Sequence, residues 1–362
     1  MRPVFAVVQR ALIKTTLSCS LALIPLQGFS ENLSLYDQIQ QRKTLKVAAV
    51  ADNSTFFGKG NLLHGFGYDL TRELAQNLNV RLEFKPYASS SAALRAVAQG
   101  KADLALSTAS TRQLDQHDLH PVSLSCGKPA LLSSNGLNTA VNWALSSDTD
   151  PLMASLNSFA CQEVDLGVTP KLAAFYTQNV MNNAGERSSL RQAINTRLPQ
   201  YVSSMQAYAR QNRLDWQLVA AVGYQESHWQ PDAISPTGVQ GLMMLTAATA
   251  SEVGVADRTD PMQSISGGAR YLSQLQRQYS SLPRPDRLWF SLAAYNMGPG
   301  ALDQVRRQVK KSGQNPNHWP DVYRYMADRA SKNGSYSQAV RYVTRIRAYL
   351  ETLKQDRALS RL

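Results

Sequence analysis

Val222-Gly-Tyr-Gln-Glu-Ser-His-Trp-Gln-Pro-Asp-Ala-Ile-Ser-Pro-Thr-Gly-Val-Gln-Gly-Leu-Met-Met-Leu-Thr246 sets one acid, Glu226, at the end of an apolar segment and follows it with a loop punctuated by glycine and proline. The segment before the acid has the marks of a helix. Asp215 is a candidate N-cap, Leu214 and Val219 can staple across it, and Leu218, Val219 and Val222 form a stripe at helical spacing. Glu226 falls four residues after Val222 and seven after Val219, so it continues the stripe and is predicted to point inward. Loss of water around a carboxyl raises its pKa and keeps it protonated near neutrality, the state a general acid needs at a glycosidic oxygen. Periodicity alone favours the plainer reading, a helix-end carboxylate paired with a basic neighbour.

The flanking residues favour the first reading. Tyr224-Gln-Glu-Ser-His-Trp229, Ser235-Pro-Thr-Gly238, Gly241-Leu-Met-Met-Leu-Thr246 and, further on, Ala294-Tyr-Asn-Met-Gly298 form an ordered set. It resembles the lysozyme-like catalytic domain of lytic transglycosylases, and with Asp257-Arg-Thr-Asp-Pro261 and Gln263-Ser-Ile-Ser-Gly-Gly268 it is similar to the membrane-bound lytic murein transglycosylase F type. The resemblance covers about residues 189–356. It implies a peptidoglycan substrate, cut between N-acetylmuramic acid and N-acetylglucosamine without water. Glu226 would protonate the bridging oxygen and then, as carboxylate, take the proton of the muramoyl C6 hydroxyl, leaving a 1,6-anhydro end. No cofactor is implied.

The resemblance carries further positions with it. Ser235 matches a serine that orients the acid and the substrate acetamido group, although a turn residue before Pro236 would look the same. Gly238 and Gly241 would let backbone approach the sugar or the active helix. Met243 is expected in the core; Met244 stands where the general pattern has glutamine, as it does in the F type, and is counted among the substrate contacts. Tyr295 and Asn296 match the Ala-Tyr-Asn signature, with the tyrosine the stronger candidate for contact near the acid. Tyr342 matches a cleft-lining tyrosine of the last helix, among core positions Val343, Ile346 and Leu350. Between Trp216 and Val255 the other acids are Asp232 and Glu252, neither at a matching position, so the two-carboxylate arrangement of ordinary glycosidases is not indicated. A lysozyme-type hydrolase and a catalytically inactive wall-binding or sensory protein remain as alternatives.

The 362 residues allow two domains, and 43% hydrophobic with 18% charged residues indicates globular material. The net charge of +12 is unevenly spread: residues 31–180 hold 12 Lys+Arg against 13 Asp+Glu, residues 181–362 hold 23 against 13. A basic half attracts polyanions. Export and the lack of a nucleic-acid motif favour glycan strands of the wall, with a membrane surface or other wall enzymes as further partners, over nucleic acid. Lys310-Lys311 and Arg345/Arg347 are expected on solvated helix faces. Residues 1–30, with Arg2, Arg10 and Lys14 before an apolar run, are expected to be a secretory signal or amino-terminal anchor, and the location periplasmic, peripheral to the outer membrane. Three cysteines and five scattered histidines give no metal-ligand spacing. With Cys19 in the leader, Cys126 and Cys161 are either bridged or two buried thiols.

From Thr44 the chain alternates strand and helix: strands over 45–50, 80–85 and 103–107, helices over 68–78 and 91–99, an α/β pattern with a parallel sheet. Phe66-Gly-Tyr-Asp-Leu-Thr-Arg-Glu-Leu-Ala75 and Gly100-Lys-Ala-Asp-Leu104 resemble the first lobe of periplasmic solute-binding proteins. In that family a second lobe precedes the returning strand, expected here over 140–145, and helix, opening at Asp150-Pro151; almost nothing lies between, so one lobe is expected to be missing. Arg112 matches the carboxylate-binding arginine, but Ala109 replaces the threonine expected with it. The division is thus a leader over 1–30, a shortened single-lobe α/β domain over 31–181, a polar linker over 182–188 and an all-α lysozyme-like domain over 189–356. The helices of the last are expected over 189–211, 215–227, 246–253, 261–279, 287–296 behind Asp286, 300–311, 320–330 and 337–354.

Overall fold

The computed structural model describes residues 33–59 and 62–359. The leader expected over residues 1–30, Cys19 included, lies outside them. From Ser34 onward the described residues form one compact unit.

The first half of that unit is the α/β layer. Helix α1 (Leu35–Arg42) leads into strand β1 (Thr44–Ala49), the hairpin β2 (Phe57–Lys59) and β3 (Leu62–His64), helix α2 (Phe66–Asn77), β4 (Arg81–Pro86), α3 (Ser90–Ala98) and β5 (Leu104–Ser107). Then follow α4 (Thr111–Asp115), β6 (His120–Ser123), α5 (Ala130–Ser133), β7 (Asn142–Leu145), α6 (Pro151–Asp165) and α7 (Val168–Phe175). The five-stranded sheet runs β4-β1-β5-β7-β6. β1 pairs parallel with both β4 (Thr44 opposite Arg81) and β5 (Val47 opposite Leu104), as the alternating pattern predicts. The returning strand β7 departs from that parallel order, lying antiparallel to both β5 and β6. Asp150 caps α6 by accepting from the Leu152 amide, with Pro151 at the first helical position. Cys126 and Cys161 are bridged, tying the turn after β6 to α6 across a Cα separation of 4.9 Å.

Alternation along β1 sends its side chains to two different cores. Ala48 joins Ala93, Leu94, Val97, Ala105 and Ala144 in a small-residue layer under α3. Leu45, Val47 and Ala49 face the other way, into a core that includes Phe66 and Trp143 and continues without a break into the helical half. Trp143 is fully buried and donates its indole N–H to the Thr71 hydroxyl at 2.8 Å, so its polar edge is satisfied.

The remainder is helical: α8 (Asn179–Asn182), α9 (Ala184–Thr196), a 3₁₀ turn (Leu198–Gln200), α10 (Val202–Gln211), α11 (Trp216–Ser227), α12 (Ala247–Glu252), α13 (Pro261–Gln278), α14 (Asp286–Met297), α15 (Pro299–Lys311), α16 (Trp319–Arg329) and α17 (Gly334–Gln355). The single helix expected over 189–211 is broken at the 3₁₀ turn around Pro199. Residues 182–188, expected as a linker, contain the end of α8 and the first turn of α9, where Asn183 caps by accepting from the Glu186 amide at 3.0 Å. Polarity and a glycine look alike in a linker and in a capped helix start.

A dense seam joins the two halves. Phe175 of α7 packs against Trp289, Trp319 and Tyr323 with ring centroids 5.0–5.9 Å apart. Arg72 of α2 bridges Asp69 at 2.9 Å and Asp286 at 2.5 Å. Asp286, expected just ahead of α14, is therefore its first residue and a buried cross-seam partner that also accepts from the Trp319 amide. His318 lies 2.8 Å from Glu73. Arg347, expected on a solvated face, is 1% exposed: it pairs with Glu351 at 2.7 Å and donates to the Thr177 carbonyl at 2.6 Å. Among the described residues no helix is long and apolar enough to cross a membrane.

Candidate active site

Glu226 occupies the last turn of α11, whose start is fixed as the sequence predicts, with Asp215 accepting from the Gln217 amide at 2.9 Å. Beyond the acid the chain reverses through two consecutive left-handed residues, His228 (φ 54°) and Trp229 (φ 59°). The Trp229 ring anchors that reversal: it is fully buried, donates to the Ala220 carbonyl at 2.9 Å and packs on Tyr224. Ser227 turns inward and donates to the Leu242 carbonyl at 2.8 Å, pinning the loop beneath the helix end. The Cβ that an L-residue would add at Gly241 (φ 93°) falls 1.9 Å from the Arg258 carbonyl oxygen, so the need for glycine there arises from the passing 258 backbone. The next residues are fixed in turn, the Met243 amide donating to the Ser264 hydroxyl at 3.0 Å.

One tyrosine from another helix meets the acid and a second stacks on it. Tyr342 of α17 donates to Glu226 Oε1 at 2.5 Å. Tyr295 of α14 donates to the Met243 carbonyl at 3.0 Å and stacks on Tyr342, ring centroids 6.5 Å apart and planes 13° from parallel. Glu226 is half-buried, and among the described residues no ion pair reaches it. Desolvation raises its pKa to about 7, against the opposing pull of the Tyr342 hydroxyl. Burial, reinforced by the carboxylate of Glu226, raises both tyrosines well above the ordinary phenol value, so both remain proton donors. The result is a carboxyl poised between its two protonation states at neutral pH.

Glu226, Tyr295 and Tyr342 thus form one cluster. Met243 is fully buried, packing on Gly268, as expected of a core residue. Met244 is half-buried in the left-handed region at φ 47°, one residue beyond the carbonyl that holds Tyr295. Ser235 is used by its own turn: its hydroxyl accepts from the Val239 amide at 2.9 Å and lies 3.1 Å from the Thr237 hydroxyl. Among the described residues no hydrogen bond joins Ser235 to Glu226, and the Asn296 side chain is exposed and makes no hydrogen bond to another described residue. No group of three or more His, Cys, Asp or Glu able to hold a metal occurs among the described residues.

One neighbour was not expected at the site. Arg345, predicted on a solvated face, donates to Gln225 at 3.0 Å and to Glu186 at 3.0 Å, and Tyr349 donates to the same Glu186 oxygen. This network joins α9, α11 and α17 beside the acid. Arg345 follows Tyr342 by three residues, a spacing that puts both on adjoining parts of one helix face.

The transglycosylase SLT domain family matches residues 203–317, and the family 3 bacterial extracellular solute-binding proteins match residues 45–117. The membrane-bound lytic murein transglycosylase F of Pseudomonas fluorescens is 38% identical over 274 residues, covering 72% of this chain and 54% of the relative. That of Shewanella loihica is 42% identical over 227 residues, covering 59% and 47%. The chain spans about half the length of these curated relatives. Among solved structures, the lytic transglycosylase Slt of Pseudomonas aeruginosa superposes over 75% of this chain and 44% of its own, at 19% identity and a TM-score of 0.37. Shared sequence on both sides of the seam makes this chain a relative of the membrane-bound lytic murein transglycosylase F proteins, with a transglycosylase SLT domain behind a solute-binding-type α/β segment.

Proposed function

We propose that this chain is a peptidoglycan lytic transglycosylase in which Glu226 is the catalytic acid and then the base. The observation that carries the reading is the lone carboxyl held near pKa 7 with a neutral hydroxyl as its partner. A protonated Glu226 gives its proton to the glycosidic oxygen as the bond to muramic acid C1 breaks. The substrate's own acetamido oxygen stabilises the cationic carbon, a role that ordinary retaining enzymes give to a second carboxylate. The Glu226 carboxylate left behind removes the proton of the C6 hydroxyl as O6 closes on C1. The proton has returned to Glu226, no water is consumed, and the product ends in 1,6-anhydromuramic acid. Tyr342 fixes the orientation of the carboxyl through both steps, and Tyr295 supports Tyr342 by stacking.

Ser235, Gly241, Met244 and Asn296 are proposed to line the substrate path, Ser235 and Asn296 with polar groups and Met244 with an apolar face. Glycan strands are the substrate, and the location is periplasmic, peripheral to the outer membrane. Mass spectrometry of sacculi digested by the full chain tests the proposal. Anhydromuropeptides, released far more slowly with Glu226→Gln, are the expected products. Reducing muramic acid ends would mean a hydrolase instead, and intact sacculi a binding protein.

A further inference from the structure

The end of α11 opposite to Glu226, ten residues and about 15 Å away along the axis, borders a second concave surface. Two adjoining cavities lie there, of about 400 and 430 Å³, sharing Arg213, Gln276, Arg284 and Arg287. Five cations line them, Arg277 and Lys354 being the other two, and Asp215 is the one acid, already engaged by Lys354. Arg277 and Arg287 spend donors on Ser273 and on the Ser280 and Leu282 carbonyls. Arg213 and Arg284 are exposed, and among the described residues their guanidinium groups have no hydrogen-bond or ion-pair partner. The floor of the first cavity is apolar, made by Leu214, Leu218, Leu288 and Leu350.

We infer that this groove binds an anionic phospholipid, the phosphate between Arg213 and Arg284 and the first methylenes of the acyl chains on the leucine floor. Guanidinium forks match phosphate oxygens two at a time, and a net surplus of cations favours a headgroup without a compensating positive charge. Apolar surface directly beneath the charges distinguishes such a ligand from a wholly polar anion, each buried methylene adding roughly fourfold in affinity. Nothing in the glycosidic chemistry at Glu226 uses these residues.

Calorimetric titration of the full chain with dihexanoyl phosphatidylglycerol, a short-chain lipid that stays monomeric, tests the inference. Expected are saturable binding, at least tenfold weaker binding of dihexanoyl phosphatidylcholine and of glycerol 1-phosphate, and at least tenfold loss in Arg213→Gln/Arg284→Gln. Arg213→Gln alone, on an exposed turn, should lose severalfold with an unchanged melting temperature, which separates a lost contact from a lost fold. Equal binding of the two lipids, equal binding of glycerol 1-phosphate, or wild-type affinity in the correctly folded single and double variants would each overturn it.

Discussion

Helix α17 serves two half-buried carboxylates and leaves them in opposite states. Near its middle, Tyr342 meets Glu226; nine residues on, about 13 Å along the axis, lies Glu351, between Arg347 and His64. Burial pushes both pKa values up. At Glu226 a neutral hydroxyl opposes burial and fails to cancel it, leaving the group at about 7. At Glu351 the Arg347 charge and the His64 hydrogen bond outweigh burial and leave it below the ordinary carboxylate value. The kind of partner, more than the depth, separates an acid that can exchange a proton from a carboxylate that clamps two halves together.

The largest effect should come from removing the exchangeable proton. Glu226→Gln keeps the shape of the side chain, so folding should persist while turnover falls roughly 10²- to 10⁴-fold. Anhydromuropeptide release measures it, and undiminished release by a folded variant would strip Glu226 of its role. The variant should also alter the pH dependence of stability. Because the folded pKa lies above the unfolded value of 4.5, the folded protein retains a proton the unfolded chain has lost, and stability declines as pH rises from about 4.5 to 7. Chemical denaturation across that range should show a shallower decline in Glu226→Gln.

Glu351→Ala should act on the fold. It leaves Arg347, 1% exposed, without its carboxylate, a loss of about 3–5 kcal/mol when a buried pair is broken from one side. The sign with pH is the reverse of that at Glu226: the contribution of Glu351 is complete above 4.5 and fades as acid carries the group through its depressed folded pKa. Urea midpoints at pH 7 and pH 4 should therefore differ less in the variant than in the wild type. A variant as stable as the wild type would mean that the seam does not depend on this clamp.

The disulfide provides a control remote from both carboxylates. Cys126→Ser/Cys161→Ser opens a loop with a sequence separation of 35 residues, worth roughly 3–4 kcal/mol of unfolded-state entropy. Denaturation should register that loss while turnover per folded molecule stays at the wild-type level. A fall in turnover per folded molecule would show that strain in the α/β half reaches Glu226.

Local features of this architecture were legible because they are written in adjacent residues. Asp150-Pro151 and Asp215 announce helix starts through side chains that cap within three residues, and both do so. The inward aim of Glu226 follows from its spacing to Val219 and Val222. Long-range pairing left no such trace. Arg347 was expected on a solvated face although it sits four residues after Val343 and three before Leu350, because the partners that permit a buried cation, Glu351 and the Thr177 carbonyl, are identified only by the fold. The same holds for the solute-binding likeness. A small cavity of about 80 Å³ beside β2 is lined by Asp52 and Phe56 together with Glu351 and Gln355 of α17, so residues from both halves of the chain meet there. Asp52 spends its oxygens on the Ser54 and Thr55 amides and the Thr108 hydroxyl, and Arg112 is exposed on α4.

The finest test of the comparison alters only the partner of the Glu226 carboxyl. Tyr342→Phe removes the hydrogen bond that lowers the Glu226 pKa and leaves burial in place, so the pKa should rise from about 7. A hydrogen bond to a charged group worth roughly 1.5 kcal/mol corresponds to about one pKa unit. Since the first step needs the protonated acid, the alkaline limb of the pH–rate profile should move upward by about that much, with a lower maximum because the carboxyl is less firmly oriented. Tyr295→Phe should do less. Its hydroxyl donates to the Met243 carbonyl and not to the acid, so turnover should fall severalfold with the limb unmoved. An alkaline limb that shifts equally in both variants, or in neither, would mean that the hydroxyl of Tyr342 does not set the protonation of Glu226 and that depth alone does.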